Sequence, residues 1–261
     1  GAFERHPGPF KARMWSVMRA VVADAQAPGD GLGTGDLREQ LFEHATTFGS
    51  LIQVPKTLVK KFPGLKQLGE VNSRDLFVAD ELKRLDPLVR QAELLATKYF
   101  AVVANPPYIG RKYQSADIKA YIKNEYEDST LDLFAAFVTR CLLLSNLNGY
   151  IGVMSPNVWM FLPTYNKYRE SLFKSSNLSS LVQLHISGFE GATVHICTYT
   201  LRNSQLPNYS SAFIKLSDFS SAASQSVKTL EAIKNPSADW FYKSKVDDFK
   251  YLPGSPVAYW L

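Results

Sequence analysis

Apolar runs typical of buried strands alternate with helical patterns through the centre of this 261-residue chain. The predicted strands cover residues 99–104, 150–154, 178–186 and 194–201, and the predicted helices cover residues 131–147 and 164–175. Strand, helix, strand, helix, strand is the order of a doubly wound sheet, in which helices cover the strands. The pattern therefore predicts an α/β fold.

Three regions are expected along the chain: a mostly helical segment over 1–97, an α/β core over 98–202, and the beginning of another region over 203–261. Helices are predicted at 11–25, 37–45, 73–97 and 226–234, an extended segment at 48–54 and a short strand at 212–216. The Gly-rich stretch 28–35 has no apolar strand before it, so we interpret it as a loop between helices rather than a phosphate site.

Charge and cysteine content narrow the class of protein. Lys and Arg total 29 against 24 Asp and Glu, and the resulting net charge of +5 suits a polyanionic partner without requiring one. Cys141 and Cys197 lie in apolar segments, and neither they nor the four histidines have metal-ligand spacing. We expect reduced core thiols, no metal and, because no apolar run reaches ~20 residues, a soluble cytoplasmic protein.

The tetrapeptide Asn105-Pro106-Pro107-Tyr108 follows the strand 99–104 directly. Ligands of open α/β sheets bind at the carboxyl ends of strands, so this is the place for a site. Two consecutive prolines fix the backbone and remove two N–H donors, which leaves a rigid loop rich in acceptors. Such a loop suits a substrate group that offers only donors.

A conjugated amine such as the exocyclic N6 of adenine is a group of this kind, and its delocalised lone pair makes it a poor nucleophile. If the Asn105 side-chain oxygen and the Pro106 carbonyl each accept one N–H, the lone pair can point at a methyl group on a sulfonium. The Tyr108 ring offers a face on which the base can stack. Because a duplex hides this amine, the base has to be flipped out of the helix.

The polar segment that follows contains Arg111 and Lys112, with acidic residues a few positions later. Two interpretations remain open: these side chains contact DNA phosphates beside the flipped base, or they belong to a solvated loop. Trp159 and Phe161 likewise either wall the site or fill the core.

At these residues the chain resembles the adenine-N6 DNA methyltransferases, whose hallmark is Asn/Asp-Pro-Pro-Tyr/Phe/Trp. The segment 130–137 is similar to the family's next motif, and the resemblance implies that Asp132 and Phe134 help bind the cofactor S-adenosylmethionine. In the segment 189–194, it implies that Phe189 clamps the flipped base opposite Tyr108; the alternative is an ordinary core phenylalanine. Together with the segment 48–55, the likeness extends to the large adenine-specific methyltransferases of bacteriophage-exclusion (BREX) and restriction-modification systems.

The family's Gly-rich cofactor loop is not found between Gly1 and Lys98, and the last residues form an apolar segment. We therefore expect a fragment of a longer protein, with a partial Rossmann-like methyltransferase fold, a helical insert and the start of a target-recognition region over 203–261. The expected partners are double-stranded DNA and other defence-system subunits, with no membrane. Two alternatives stay open: methylation of a protein Gln or an RNA amine, and a noncatalytic DNA-binding or assembly module.

Overall fold

The computed structural model describes residues 42, 44–69, 87–188 and 194–261. The predicted helix 11–25, the Gly-rich stretch 28–35 and Phe189 lie outside these residues. The chain divides into two compact units, Gly1–Thr97 and Lys98–Leu261. Among the described residues, no helix has both the length and the apolar character needed to cross a membrane.

The described part of the first unit contains short helices around a small core. They are α1 (Ala45–Phe48), α2 (Lys56–Val59) and α3 (Phe62–Gly69), with a 3-10 turn at Gly49–Leu51, and a further helix, α4, is described over 87–96. The prediction of an extended segment over 48–54 is wrong for its first residues. Gly49, at φ 52°, ends α1, and the chain turns there directly into the 3-10 helix. A salt bridge of 2.8 Å between Lys66 and Glu93 joins α3 to α4.

The second unit is a mixed α/β structure, which confirms the predicted fold class. Its strands are β1 (Tyr99–Ala104), β2 (Ser145–Pro156), β3 (Asn177–Gln183), β4 (Ile196–Arg202), β5 (Ser210–Lys215) and β6 (Phe241–Lys245). Its α-helices are α5 (Ala116–Glu125), α6 (Leu133–Leu144), α7 (Val158–Phe161), α8 (Asn166–Ser175) and α9 (Ala222–Lys234). Short 3-10 helices lie at Arg111–Tyr113, Glu127–Ser129, Pro163–Tyr165, Ile186–Gly188 and Val246–Tyr251.

The described strands form one sheet in the order β1-β2-β4-β3-β5-β6. β1 pairs with β2 in parallel and β3 pairs with β5 in parallel, whereas β4 lies antiparallel between β2 and β3. The sheet is therefore mixed, because the chain turns back through β4 before it continues to β5. Residues 203–261 add β5 and β6 to the same sheet. Their role in target recognition stays a prediction.

The strand β1 is parallel, as expected, but it is not buried. Phe100 is 81% exposed and Val103 is 85% exposed. The strand β1 forms an edge of the described sheet and pairs there with β2 alone. Val102 and Ala104 pack against the main core instead.

The helix α6 ends at Leu144, three residues before the predicted end at residue 147. Side chains from elsewhere in the sequence satisfy its last carbonyl groups. The Asn203 amide donates to the Leu142 carbonyl at 3.2 Å and to the Ser145 carbonyl at 3.2 Å, and the Lys98 ammonium donates to the Leu143 carbonyl. The chain enters β2 early because these contacts cap the helix.

A buried guanidinium fastens the last residues of the chain to the core. Arg169 in α8 is 1% exposed and donates to the backbone carbonyls of Trp159, Leu162, Gly254 and Ser255. Beside this cluster, the Val257 amide donates to the Met160 carbonyl at 2.8 Å, and the Tyr259 ring stacks on Phe213 at 4.5 Å between centroids. The segment after β6 is therefore part of the core of this unit.

We predict that Arg169→Met lowers the free energy of unfolding by about 3 kcal/mol, because the substitution leaves buried carbonyl groups without donors. Arg169→Lys should restore little of this, since an ammonium lacks the planar fork that reaches several carbonyls. Urea unfolding measures both values. Lys174→Met, at an exposed position of the same helix, is the matched control, and equal losses in the two methionine variants would contradict the assignment.

Candidate active site

The parallel pairing of β1 and β2 brings their carboxyl ends together. Ala104, the last residue of β1, lies opposite Val153, and β2 continues to Ser155 and Pro156. Asn105 follows Ala104 directly, so its side chain starts at this edge of the sheet. Ligands of open α/β sheets bind in such crevices, and the sequence prediction placed the site here.

The tetrapeptide at this edge alternates between buried and exposed residues. Pro106 is buried, whereas Asn105 and Pro107 are exposed and Tyr108 is half-buried against the main core. The Tyr108 hydroxyl donates a hydrogen bond to Asn105 Oδ1 at 2.8 Å. Burial, and after it the neighbouring Cys197 thiol, raises the pKa of Tyr108, so its hydroxyl keeps its proton at neutral pH.

The residues after Tyr108 are held by the segment 131–133, which leads into α6. The Leu133 amide donates to the Ile109 carbonyl at 3.0 Å, and the Arg111 amide donates to the Leu131 carbonyl at 2.9 Å. Between these bonds, Gly110 and Asp132 form an isolated antiparallel bridge. Asn105–Tyr108 is thus fixed at one end by β1 and at the other end by this bridge.

Asp132 stands at the beginning of α6 and caps it. Its carboxylate accepts a hydrogen bond from the Phe134 amide at 3.2 Å. Burial raises the pKa of Asp132, and bonds from backbone amides, that of Phe134 first, partly offset this. The bridge to Gly110 brings an acidic acceptor to the exit of the Asn105–Tyr108 loop.

Phe134 and Tyr165 form the wall behind Asp132. Phe134 is fully buried, and its ring stacks on Tyr165 with 6.1 Å between centroids. Burial, and after it the charge of Asp132, raises the pKa of Tyr165 to about 12. Sequence reasoning missed Tyr165 because it lies at the start of the predicted helix 164–175, and no local signal relates it to Asp132.

The other predicted site residues have mixed outcomes. Arg111 and Lys112 are exposed in the 3-10 helix shortly after the loop, so both side chains are accessible from solvent. Trp159 is fully buried and fills the core, whereas Phe161 is partly buried and packs on Trp260. Cys141 and Cys197 are free and buried, and burial raises the pKa of Cys197 to about 12, so its thiol is no nucleophile at neutral pH.

Comparison with known families confirms the resemblance found in the sequence. The family model of the Eco57I restriction-modification methylases matches residues 37–189, which include Asn105–Tyr108 and Asp132.

Two relatives match almost the whole chain. It is 30% identical to the adenine-specific methyltransferase BrxX of Escherichia coli O9:H4 (strain HS) over 94% of its length, and 26% identical to the adenine-specific methyltransferase PglX of Lacticaseibacillus casei (strain Zhang) over 98%. These alignments cover 21% and 22% of the relatives, so the chain spans about a fifth of their length. A solved methyltransferase subunit of a type I restriction-modification system from Streptococcus thermophilus shares 15% identity, with a TM-score of 0.45 over 59% of this chain and 36% of that one.

Two substitutions at Asp132 distinguish the capping of α6 by its side chain from the effect of its negative charge. Asp132→Ala should lower the free energy of unfolding by ~1 kcal/mol, because the first turn of α6 loses an acceptor. Asp132→Asn keeps an acceptor and removes the charge, so at pH 7 it should be at least as stable as the unchanged protein.

The advantage of Asp132→Asn over the unchanged protein should grow as the pH rises through the ordinary carboxyl range. A raised folded pKa means that the folded state favours the protonated acid, and its stability declines as the carboxylate forms. Chemical denaturation across this pH range gives the comparison. An advantage that shrinks with rising pH would refute the stated cause.

Proposed function

Because the chain belongs to the Eco57I restriction-modification methylase family, we propose that it supplies the catalytic loop of a DNA adenine-N6 methyltransferase acting in phage defence or restriction-modification. The observation that carries the proposal is the exposed Asn105 amide at the carboxyl end of β1, with the half-buried Tyr108 beside it. The names of the relatives, adenine-specific methyltransferases, support the choice of substrate.

In this proposal Asn105 Oδ1 and the Pro106 carbonyl accept the two N–H groups of a flipped adenine. These bonds orient the nitrogen lone pair and stabilise the charge that develops on the amine, without a covalent intermediate. Pro107 keeps the loop rigid. The Tyr108 ring stacks on the base, and Phe189 is assigned to its opposite face.

The residues near Asp132 fit one end of S-adenosylmethionine. A half-buried carboxylate at the exit of the Asn105–Tyr108 loop suits a ligand that offers hydrogen-bond donors and positive charge. When bound, this cofactor supplies the electrophilic methyl group. Asp132 would accept hydrogen bonds from the cofactor. Phe134 is fully buried and stacks on Tyr165, so these two rings would support Asp132 from the core side without touching the cofactor directly.

The partners follow from the same chemistry. Double-stranded DNA provides the adenine, residues 203–261 begin the region that selects the target sequence, and other subunits of a defence system complete the assembly. We assign the protein to the cytoplasm, where this substrate is found in bacteria.

The experiment is methyl transfer from radiolabelled S-adenosylmethionine to DNA, measured with the full-length protein. Asn105→Ala should lower kcat about 100-fold or more, because the amine loses an acceptor that acts in the transition state. Asn124→Ala, at an exposed position of α5, is the control and should keep its activity. DNA binding without transfer to DNA, RNA or a Gln-containing protein would instead favour a noncatalytic module.

For Arg111 and Lys112 we predict a purely electrostatic role on the DNA backbone. Arg111→Gln and Lys112→Gln should each weaken binding of specific and nonspecific duplexes alike, and each should reduce the slope of log Kd against log salt by about one. Titrations at several salt concentrations test this. Lys234→Gln, exposed at the end of α9, is the control. If the salt slopes of the Arg111 and Lys112 variants equal the slope of this control, the two side chains do not contact DNA phosphates.

A further inference from the structure

The Tyr108 hydroxyl is a functional group that base stacking does not use. It donates to Asn105 Oδ1 at 2.8 Å, so the hydrogen bond closes the two ends of the tetrapeptide. The Tyr108 ring packs against the main core, which anchors the hydroxyl, whereas the Asn105 side chain is exposed. A fixed donor therefore holds an acceptor that would otherwise be free to rotate.

The orientation of Asn105 matters because an asparagine amide has one accepting and one donating side. Methyl transfer to an amine requires the accepting side to face the substrate. An exposed side chain samples several rotamers. A contact that selects one rotamer before the substrate binds lowers the entropy cost of placing the accepting oxygen toward the amine.

We propose that the Tyr108 hydroxyl is a positioning group, which holds the Asn105 carbonyl oxygen in place for the substrate amine; this rests on the proposed function. A carbonyl oxygen has two lone pairs, so Asn105 Oδ1 accepts the hydroxyl with one and an amine N–H with the other. The ring and the hydroxyl of Tyr108 thus have separate tasks: the ring stacks on the base, and the hydroxyl orients the acceptor.

Tyr108→Phe in the full-length protein separates these tasks, because it keeps the ring and removes the hydroxyl. We expect kcat to fall by about 3- to 10-fold, the range of one neutral hydrogen bond. The KM for DNA, the melting temperature and the fluorescence of 2-aminopurine at the target position, which reports base flipping, should stay unchanged. Tyr108→Ala is the comparison, and it should also raise the KM and reduce the flipping signal.

A pH profile gives an independent readout in the Asn105→Asp background. There the hydroxyl donates to the introduced carboxylate and favours its charged form, so adding Tyr108→Phe should move the acid limb of kcat to higher pH. An acid limb that stays in place would show that the hydroxyl does not bond the side chain at position 105 in the working enzyme, and would overturn the positioning role.

The outcomes separate the two proposals. If the unchanged protein forms no N6-methyladenine, the proposed function fails whatever Tyr108 does. If it does so and Tyr108→Phe is as fast or faster, the positioning role alone is overturned. A Tyr108→Phe variant with a lower melting temperature and a higher KM, at constant kcat, would overturn that role as well.

Discussion

The parallel hydrogen bonding between β1 and β2 is the constraint on which the rest of the site depends. It sets the carboxyl end of β1 beside that of β2 and so brings Asn105 to an edge where a ligand can approach. The bridge between Gly110 and Asp132 then fixes the other end of the loop against the beginning of α6. A short polar loop becomes rigid because structure holds it at both ends, and rigidity is what orientation catalysis requires.

The antiparallel strand β4 ties this edge to the rest of the second unit. It pairs with β2 on one side and β3 on the other, and its Cys197 and Tyr199 lie buried in the core beside Trp159. Arg169 adds the last residues of the chain to the same core through backbone carbonyls. The Asn105–Tyr108 loop is therefore supported by segments that come long after it in the sequence.

Local patterns predicted the elements that carry the site, because strand, motif and helix follow one another between Tyr99 and Leu144. They failed where distant residues decide the outcome. The early end of α6 depends on Asn203, and the edge position of β1 depends on which strands pair with it. Composition cannot distinguish an edge strand from a central one, and it cannot show that Tyr165 stacks on Phe134.

An experimental structure of the full-length protein with target DNA and a nonreactive analogue of S-adenosylmethionine would show whether Asn105 and Pro106 bind the substrate amine. We expect a flipped adenine whose N6 lies about 3 Å from both Asn105 Oδ1 and the Pro106 carbonyl, with its ring stacked on Tyr108. A target adenine that stays in the duplex, or an N6 beyond hydrogen-bond distance of Asn105, would contradict this expectation.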